Sequence, residues 1–200
     1  MKIGMLGSGT VALSIARHAI EQGHEVLLSN RSGADKLADA LAELGPKASV
    51  VTVAEAAAAP VVLLATPWTT IETVLSGLPA WDNRILIDAT NPFLEVTPKW
   101  VLADLGERGA SEVVAELAPG ARVVKAFNNI VMTNFNAGPV RDQSRRVLFV
   151  SGDDSDAKAF VTDFINIMGF RTIDLGGLKD GGKMQQAGGP LGGHDFLISQ

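Results

Sequence analysis

The stretch Lys2-Ile3-Gly4-Met5-Leu6-Gly7-Ser8-Gly9-Thr10-Val11-Ala12 decides the fold of this chain. Its first five residues are typical of a short buried strand, and the residues after Gly9 repeat apolar side chains at helical spacing. Gly7 permits a tight turn, Gly9 lets the backbone approach a pyrophosphate closely, and Ala12 is small enough for the helix to pack on the strand. Such a turn between a strand and a helix predicts a dinucleotide-binding unit, with residues Gly7 to Val11 facing the phosphates.

The end of the second predicted strand indicates which dinucleotide is bound. This strand ends in Ser29-Asn30-Arg31-Ser32, where an NAD-binding protein usually places an acidic residue that accepts hydrogen bonds from the ribose 2′-hydroxyl. The guanidinium of Arg31 instead offers forked, permanently charged donors that suit a 2′-phosphate. Lys36 would add a second positive charge. These residues predict NADP rather than NAD, the alternative being that Arg31 is an ordinary solvated residue.

Composition and charge exclude several classes of protein. The chain of 200 residues is long enough for one well-buried domain, and its net charge of −5 argues against nucleic-acid or anionic-membrane partners. It has no cysteine, and its three histidines lack a metal-ligand spacing, so we expect no disulfide, thiol nucleophile or catalytic metal. No window approaches the roughly 20 apolar residues of a membrane span, and no signal peptide is evident. We therefore expect a cytoplasmic protein.

Strands and helices alternate along the rest of the chain. Ser32-x-x-Asp35, Thr52-x-x-Glu55 and Thr69-x-x-Glu72 have the spacing of capping boxes that begin helices, and helical turns are expected near residues 99–105 and 111–117. The alternation predicts an α/β protein with a doubly wound parallel Rossmann sheet. Residues 1–200 would form a single NADP-binding Rossmann domain with a small Gly-rich C-terminal extension at 175–200. The expected strands are residues 2–6, 24–28, 48–51, 61–65, 84–88, 121–125, 146–150 and 170–174.

Three loops that follow predicted strands should line one crevice, because ligands bind beyond the carboxyl ends of parallel strands. The loops are Ala65-Thr66-Pro67-Trp68, Ala89-Thr90-Asn91-Pro92 and Ala126-Phe127-Asn128-Asn129. Their amide, hydroxyl and flat apolar groups suit a nicotinamide and its ribose. Trp68 and Phe127 are equally compatible with a place in the core, and Asn91-Pro92 is also a plain turn signal. Asn91 and Asn128 are the better candidates, because a buried amide is normally hydrogen-bonded.

Groups for proton transfer are scarce in this sequence. There is no Ser-His-Asp arrangement, no pair of carboxylates in a common loop and no tyrosine. An alcohol dehydrogenase needs such an acid or base, whereas hydride transfer to a flavin-like ring demands less of the protein, because the cofactors carry the chemistry. The pattern favours a redox-cofactor acceptor. A non-catalytic NADP(H)-binding sensor is the alternative, and an imine or carbonyl reductase would need a proton donor that is not evident.

Segments along nearly the whole chain resemble the NADP-dependent oxidoreductases related to coenzyme F-420 reductases. The resemblance implies hydride transfer between NADP(H) and F-420 or a flavin, in a protein that we expect to be a homodimer. It implies phosphate contacts from Thr10, Ser29, Arg31 and Lys36, and contacts with the nicotinamide from the loops at 66–68 and 126–128. The acceptor would lie against Gly188, Gly189, Pro190 and Leu191, with His194 as the candidate catalytic group. The segments that carry the resemblance are residues 7–12, 29–32, 66–68, 88–92, 125–128 and 187–191.

Overall fold

The computed structural model describes residues 1–29 and 37–199. This part of the chain contains twelve strands. In chain order they are β1 (Lys2–Leu6), β2 (Glu25–Ser29), β3 (Ala48–Val50), β4 (Val61–Leu64), β5 (Ile85–Asp88), β6 (Phe93–Glu95), β7 (Val101–Leu102), β8 (Arg122–Lys125), β9 (Val140–Arg141), β10 (Ser144–Gly152), β11 (Arg171–Asp174) and β12 (Leu197–Ser199).

Ten of these strands form a central sheet, and β6 and β7 form a separate antiparallel hairpin. The order across the central sheet is β11-β10-β8-β5-β4-β1-β2-β3. The six strands from β8 to β3 are mutually parallel. Next to them β10 runs antiparallel to β8, and β11 runs parallel to β10. The carboxyl ends of β1, β4, β5 and β8 therefore meet at one edge, where the candidate site lies.

The helices cover both faces of the sheet. Ile3, Met5 and Leu63 pack into the core on one face, whereas Leu6 and Leu64 pack into the core on the other. Side chains alternate between faces in this way because a strand repeats every two residues. The helices are α1 (Thr10–Glu21), α2 (Ala38–Leu44), α3 (Val53–Ala57), α4 (Ile71–Leu75), α5 (Ala110–Leu117), α6 (Met132–Asn136), α7 (Ser155–Ile167) and α8 (Asp180–Gln185).

The predicted α/β fold with a doubly wound Rossmann sheet is confirmed, and most strands of the sheet are parallel. All eight expected strands are present to within a few residues, and Thr52 and Glu55 form the capping box that was expected to begin α3. Asp154 caps α7 by accepting a hydrogen bond from the backbone of Ala157. The expected capping box at Ser32 and Asp35 lies outside the described residues. No helix in the described ranges is long and apolar enough to cross a membrane.

Three local predictions are wrong. The sheet is not wholly parallel, because the long strand β10 reverses direction beside β8. Residues 99–105 form no helical turn: β7 pairs with β6 across the turn that contains Pro98. Thr69 does not cap α4, because a 3₁₀ turn at Trp68–Thr70 precedes that helix and Thr70 donates its hydroxyl to the carbonyl of Pro67. Two of these errors concern the pairing of strands, and the third concerns a local turn before α4.

The Gly-rich tail, expected as a small extension, lies against the central sheet. Helix α8 packs on β10, and β12 pairs with the first residues of that strand. Gln185 is fully buried, and its side-chain nitrogen donates to the carbonyl of Lys125 and to the hydroxyl of Ser151. Gly181 sits so close to Ser151 that a Cβ there would lie 2.6 Å from its hydroxyl oxygen. The tail is thus joined to strand ends at the edge that carries the site.

Candidate functional site

The glycine-rich turn after β1 contains two glycines with different roles. Gly7 has a φ of +120°, and a Cβ at this position would lie 2.3 Å from the carbonyl oxygen of Ala65. A Cβ on Gly9 would have no neighbour within 4 Å. Gly7 is therefore required for the close approach of two strand ends, whereas Gly9 leaves open space in front of α1.

The N-terminus of α1 is free to bind an anion. Gly9 is the N-cap residue and supplies no side-chain cap. The backbone N–H groups of Thr10, Val11 and Ala12 belong to the first turn, in which an α-helix offers no backbone acceptor. Three donors that have no partner within the helix, together with the positive end of the helix dipole, therefore point toward the open space at Gly9, an arrangement that suits a pyrophosphate.

A first pocket of about 250 Å³ lies beside this turn. The hydroxyl of Ser29 donates to the carbonyl of Met5, at 2.8 Å, and so fixes the end of β2 next to β1. The hydroxyl oxygen of Thr66 is buried without a hydrogen-bond partner among the described residues. A polar ligand in this pocket would satisfy that hydroxyl. The pocket is lined by Leu6, Gly7, Ser8, Gly9, Ser29, Val53, Ala65, Thr66, Pro67, Thr70 and Val74.

The residues predicted to bind a 2′-phosphate follow Ser29 directly. Asn30, Arg31, Ser32 and Lys36 lie outside the described residues, so their part in the site stays a prediction. The position at which their segment begins is nevertheless defined, because the carbonyl of Ser29 accepts a hydrogen bond from the backbone N–H of Gly7, at 3.3 Å. The segment thus starts at the wall of the first pocket.

A buried ion pair lies beneath the adjoining strand ends. The ammonium nitrogen of Lys125 is 3.2 Å from Oδ2 of Asp88, and both side chains are fully buried. Lys125 also donates to the carbonyl of Thr90, at 3.1 Å. Asp88 accepts from the backbone N–H and hydroxyl of Thr90 and from the hydroxyl of Ser111. Because each charge is hydrogen-bonded, the pair is compatible with burial, and it fixes the backbone just before Asn91.

Asn91 and Asn128 connect these strand ends to the tail. Nδ2 of Asn91 donates to the carbonyl of Asn128, at 2.9 Å, and Nδ2 of Asn128 donates to Oδ1 of Asn91, at 3.1 Å. The same Oδ1 accepts from the backbone N–H of Ala187, at 2.8 Å, and Nδ2 of Asn128 also donates to the carbonyl of Gln185, at 2.8 Å. The two asparagines therefore have mutual contacts and one tail contact each.

A second pocket, of about 520 Å³, opens beside this amide pair. Its walls come from the hairpin β6–β7, from the segment after β8 and from backbone of the tail. No lining residue carries an ionisable side chain, so the pocket suits a flat, largely uncharged group. The lining residues are Asn91, Phe93, Val96, Trp100, Leu102, Asn128, Ile130, Val131, Ala187, Gly188, Gly189, Gly192 and Gly193.

Elements that line the two pockets are in contact with each other. The hairpin strand β6 packs against the turn at Trp68–Thr70, whose last residue lines the first pocket. Phe93 in β6 lines the second pocket. An elongated ligand that enters at Gly9 would therefore pass the 66–70 loop before it reaches the second pocket.

Several predicted site residues have other surroundings. The ring of Phe127 is buried in the core, edge-on to Phe135 and Phe164, so only its backbone is placed to meet a ligand. Ala126 is also buried, and Trp68 is half-buried against the second face of the core. Gly188 and Gly189 line the second pocket, whereas Pro190, Leu191 and His194 are absent from its lining. His194 is exposed, with its ring against Phe196.

The hairpin wall of the second pocket is absent from the features predicted from the sequence. Phe93, Val96, Trp100 and Leu102 contribute four apolar side chains to it. Their only signal in the sequence is a run of large apolar residues around Pro98, which resembles a helical turn as much as a hairpin. No cluster of three or more His, Asp or Glu side chains that could hold a metal ion occurs in the described part of the chain.

The sheet order and the glycine-rich turn at the carboxyl end of β1 define a dinucleotide-binding protein of the Rossmann class. Residues 2–92 match the family described as NADP oxidoreductase, coenzyme F420-dependent. The hypothetical protein SMa0349 from Sinorhizobium meliloti is 33% identical, with a TM-score of 0.90, and the match covers 99% of this chain and 96% of that one. The chain belongs to this family of NADP-dependent oxidoreductases, and the resemblance inferred from its sequence is confirmed.

Two other relatives show how far the similarity extends. A protein from Arthrobacter sp. FB24, provisionally assigned as an F420-dependent NADP reductase, is 28% identical, with a TM-score of 0.73, and the match covers 89% of this chain and 86% of that one. Metalloreductase STEAP3 from Rattus norvegicus is 34% identical over 179 residues. That match covers 88% of this chain but 34% of the metalloreductase, so the chain spans about a third of that relative's length.

Proposed function

We propose that this protein is an NADPH-dependent reductase that transfers a hydride to a flavin-like or deazaflavin ring in the second pocket. The observation that carries the proposal is the pairing of two pockets at one sheet edge. One has the free helix donors that suit a pyrophosphate, and the other is a cavity of about 520 Å³ without an ionisable lining residue. Such a pair suits a nucleotide that ends beside a second ring.

The residues of the first pocket would hold NADPH along the strand ends. The donors of Thr10 and Val11 would bind the pyrophosphate, and Thr66 would offer its unpartnered hydroxyl to the nucleotide. Arg31 and Lys36 would neutralise the 2′-phosphate. The backbone of the 126–128 turn would orient the nicotinamide toward the second pocket, since the ring of Phe127 is held in the core.

The second pocket supplies position rather than acid–base chemistry. Bound NADPH would supply a hydride, and the acceptor would take it up with a proton from water, so that the products are NADP⁺ and a two-electron-reduced ring. Trp100 and Leu102 would cover one face of that ring, and the backbone of Gly188 and Gly189 would form another part of the wall around it. Holding two rings in contact accounts for much of the catalysis that such a transfer needs.

The metalloreductase relative suggests ferric chelates as an alternative final acceptor. The second pocket has no carboxylate or imidazole in its lining, so it offers no ligands for a metal ion of its own. We therefore propose that any reduction of a metal proceeds through a ring bound in this pocket. In an assay, ferric chelate alone would then be reduced slowly, and a catalytic amount of flavin would accelerate the reaction.

The oligomeric state and the location of the protein are further parts of the proposal. We propose a cytoplasmic homodimer without nucleic-acid or membrane partners. Exposed apolar side chains on the hairpin, among them Leu94 and Val101, are compatible with a covered surface in a dimer. Analytical ultracentrifugation at several protein concentrations tests the dimer, and a single species of monomer mass would refute it.

The decisive experiment measures NADPH oxidation at 340 nm with coenzyme F-420, FMN, riboflavin, a quinone or a ferric chelate as acceptor. We expect saturable turnover with at least one ring acceptor, and a Gly9→Ala variant should have a KM for NADPH that is roughly tenfold higher or more, because its added methyl group occupies the space before α1. If the protein binds NADPH tightly and none of these acceptors is reduced, the proposal fails. The alternative of an NADP(H)-binding sensor then stands.

A further inference from the structure

The orientation of the two amides beside the second pocket is fixed by backbone groups. The backbone N–H of Ala187 must donate, so its partner on Asn91 is the oxygen Oδ1. The carbonyl of Gln185 must accept, so its partner on Asn128 is the nitrogen Nδ2. The remaining contacts agree, because Nδ2 of Asn91 meets the carbonyl of Asn128. Neither amide can be turned over without loss of hydrogen bonds.

This orientation leaves one acceptor without a donor. Oδ1 of Asn128 is buried and has no hydrogen-bond partner among the described residues, and the residue as a whole is 6% exposed. An amide oxygen in this situation is costly unless a donor reaches it. Asn128 lies in the wall of the second pocket, so a small shift of its side chain would bring this oxygen to a donor on the occupant of that pocket.

We propose that Oδ1 of Asn128 recognises an amide or imide N–H on the ring that enters the second pocket. The inference rests on the proposed function, because it requires a ring there. Two rings in the proposed reaction carry such a group: a flavin-type acceptor has an imide N–H, and the nicotinamide has a carboxamide N–H. Quinones have none, so the contact would favour nitrogen heterocycles over quinones of similar size and potential.

A hydrogen bond from the acceptor to Oδ1 of Asn128 is tested by comparing riboflavin with 3-methylriboflavin. In the second compound a methyl group replaces the hydrogen of the imide N–H. If Oδ1 of Asn128 receives this hydrogen bond, we expect kcat/KM for riboflavin to exceed that for the methylated ring by roughly tenfold or more. Binding of both flavins to the protein, followed by quenching of flavin fluorescence, gives the same comparison without turnover.

A hydrogen bond from the nicotinamide to Oδ1 of Asn128 is tested by comparing NADPH with reduced 3-acetylpyridine adenine dinucleotide phosphate. This analogue lacks the carboxamide N–H of NADPH. A preference of roughly tenfold for NADPH in the dissociation constant would show that the nicotinamide is the donor. This comparison requires no acceptor. It therefore tests the inference even if no hydride transfer is found and the proposed function fails.

Two variants separate recognition from a structural role. Asn128→Ala removes the oxygen and should abolish whichever preference the wild-type protein shows, so that both members of the pair react or bind alike. Asn91→Ala removes the neighbouring tail contact with Ala187 but keeps Oδ1 of Asn128, so it should weaken both members and preserve the preference. Circular dichroism and thermal unfolding confirm that each variant is folded. If Asn128→Ala fails to fold, the wild-type comparisons still decide the matter.

The inference is overturned if wild-type protein discriminates within neither pair, since the oxygen would then be satisfied by water. It is also overturned if Asn128→Ala keeps the wild-type preference. Turnover of riboflavin and 3-methylriboflavin at equal rates, with no preference for NADPH, would refute the inference while the proposed function holds. A preference in binding without any turnover would support the inference and refute the proposed function.

Discussion

The ammonium nitrogen of Lys125 lies 3.2 Å from Oδ2 of Asp88, and neither side chain reaches solvent. The pair joins the ends of β5 and β8, two strands whose following loops supply Asn91 and Asn128. Through Thr90 it also holds the backbone that leads to the second pocket. The two charges thus link the packing of the sheet to the geometry of the amide pair above them.

Replacing Lys125 by Met should destabilise the protein strongly. The change leaves the carboxylate of Asp88 buried without a counter-charge, a loss that typically costs about 3–5 kcal/mol of unfolding free energy. Urea unfolding measures it. The matched control is Lys158→Met, which removes a partly exposed pair with Asp174 and should cost less than about 1 kcal/mol. Equal losses in the two variants would contradict this account of the buried pair.

The two glycines of the first turn should respond differently to a methyl group. Gly7→Ala places a Cβ against the carbonyl of Ala65 at a positive φ, and we expect a loss of at least ~2 kcal/mol in stability. Gly9→Ala should change stability by less than about 1 kcal/mol. It should nevertheless weaken the binding of NADPH by roughly tenfold or more. Thermal unfolding and fluorescence titration provide the two measurements. Unchanged NADPH affinity in Gly9→Ala would place the pyrophosphate elsewhere.

Arg31→Ala should reduce the preference for NADPH over NADH. A lost hydrogen bond to a charged group costs about 1.5–3 kcal/mol, so the dissociation constant for NADPH should rise roughly 10- to 150-fold while that for NADH changes little. Isothermal titration with both nucleotides measures the difference. If the dissociation constants for NADPH and NADH rise by the same factor, Arg31 does not bind the 2′-phosphate.

Trp100→Ala should affect the acceptor more than the fold. The side chain is 75% exposed yet lines the second pocket, so stability should change by about 0.5 kcal/mol or less. The KM for a ring acceptor should rise about two- to tenfold as aromatic contact is lost. Ile167→Ala, which removes a side chain that is 70% exposed and lies outside the pocket, is the control. A similar change in KM in both variants would contradict the placement of the acceptor.

Protein stability should decrease in mild acid because of His24. Burial lowers the pKa of His24 from its usual 6.5, and the N-terminal ammonium and Lys47 lower it further. The unfolded chain therefore takes up the proton first, so the stability present above pH 6.5 is lost progressively as the pH falls through the unfolded pKa toward the folded one. Urea midpoints measured across this range should decrease less in His24→Gln than in the wild type. If the urea midpoints of the two proteins decrease in parallel as the pH falls, His24 is not the cause of the loss of stability.

Much of the fold was predictable because its signals are local. The strand, turn and helix around Gly7 and Gly9 depend on neighbours in sequence, as does the capping box of Thr52 and Glu55. Asn91 and Asn128 were also identified locally, since polar amides at the ends of apolar strands need partners. The partners themselves, Gln185 and the backbone of Ala187, are 57 and 96 residues away and leave no local signal.

Two of the missed features depend on contacts between segments that are distant in sequence. Strand β10 is apolar like its parallel neighbours, and nothing in its sequence reveals that it runs antiparallel to β8. The tail has too many glycines to predict a helix, yet α8 forms where Gly181 and Gly182 allow close packing over Ser151 and Lys125. The wall of the second pocket is a local hairpin, and a helical turn is the wrong prediction there because a short apolar run suits a helix as well as a strand.

The placement of the three tryptophans gives the molecule an internal set of optical reporters. Trp81 is 2% exposed and lies in the core, Trp68 is half-buried, and Trp100 projects into solvent at the entrance to the second pocket. Indole emission moves to longer wavelength as water gains access, so the red edge of the spectrum belongs mainly to Trp100. Quenching of that edge by iodide, with Trp81 as the shielded reference, would report occupancy of the pocket without any label.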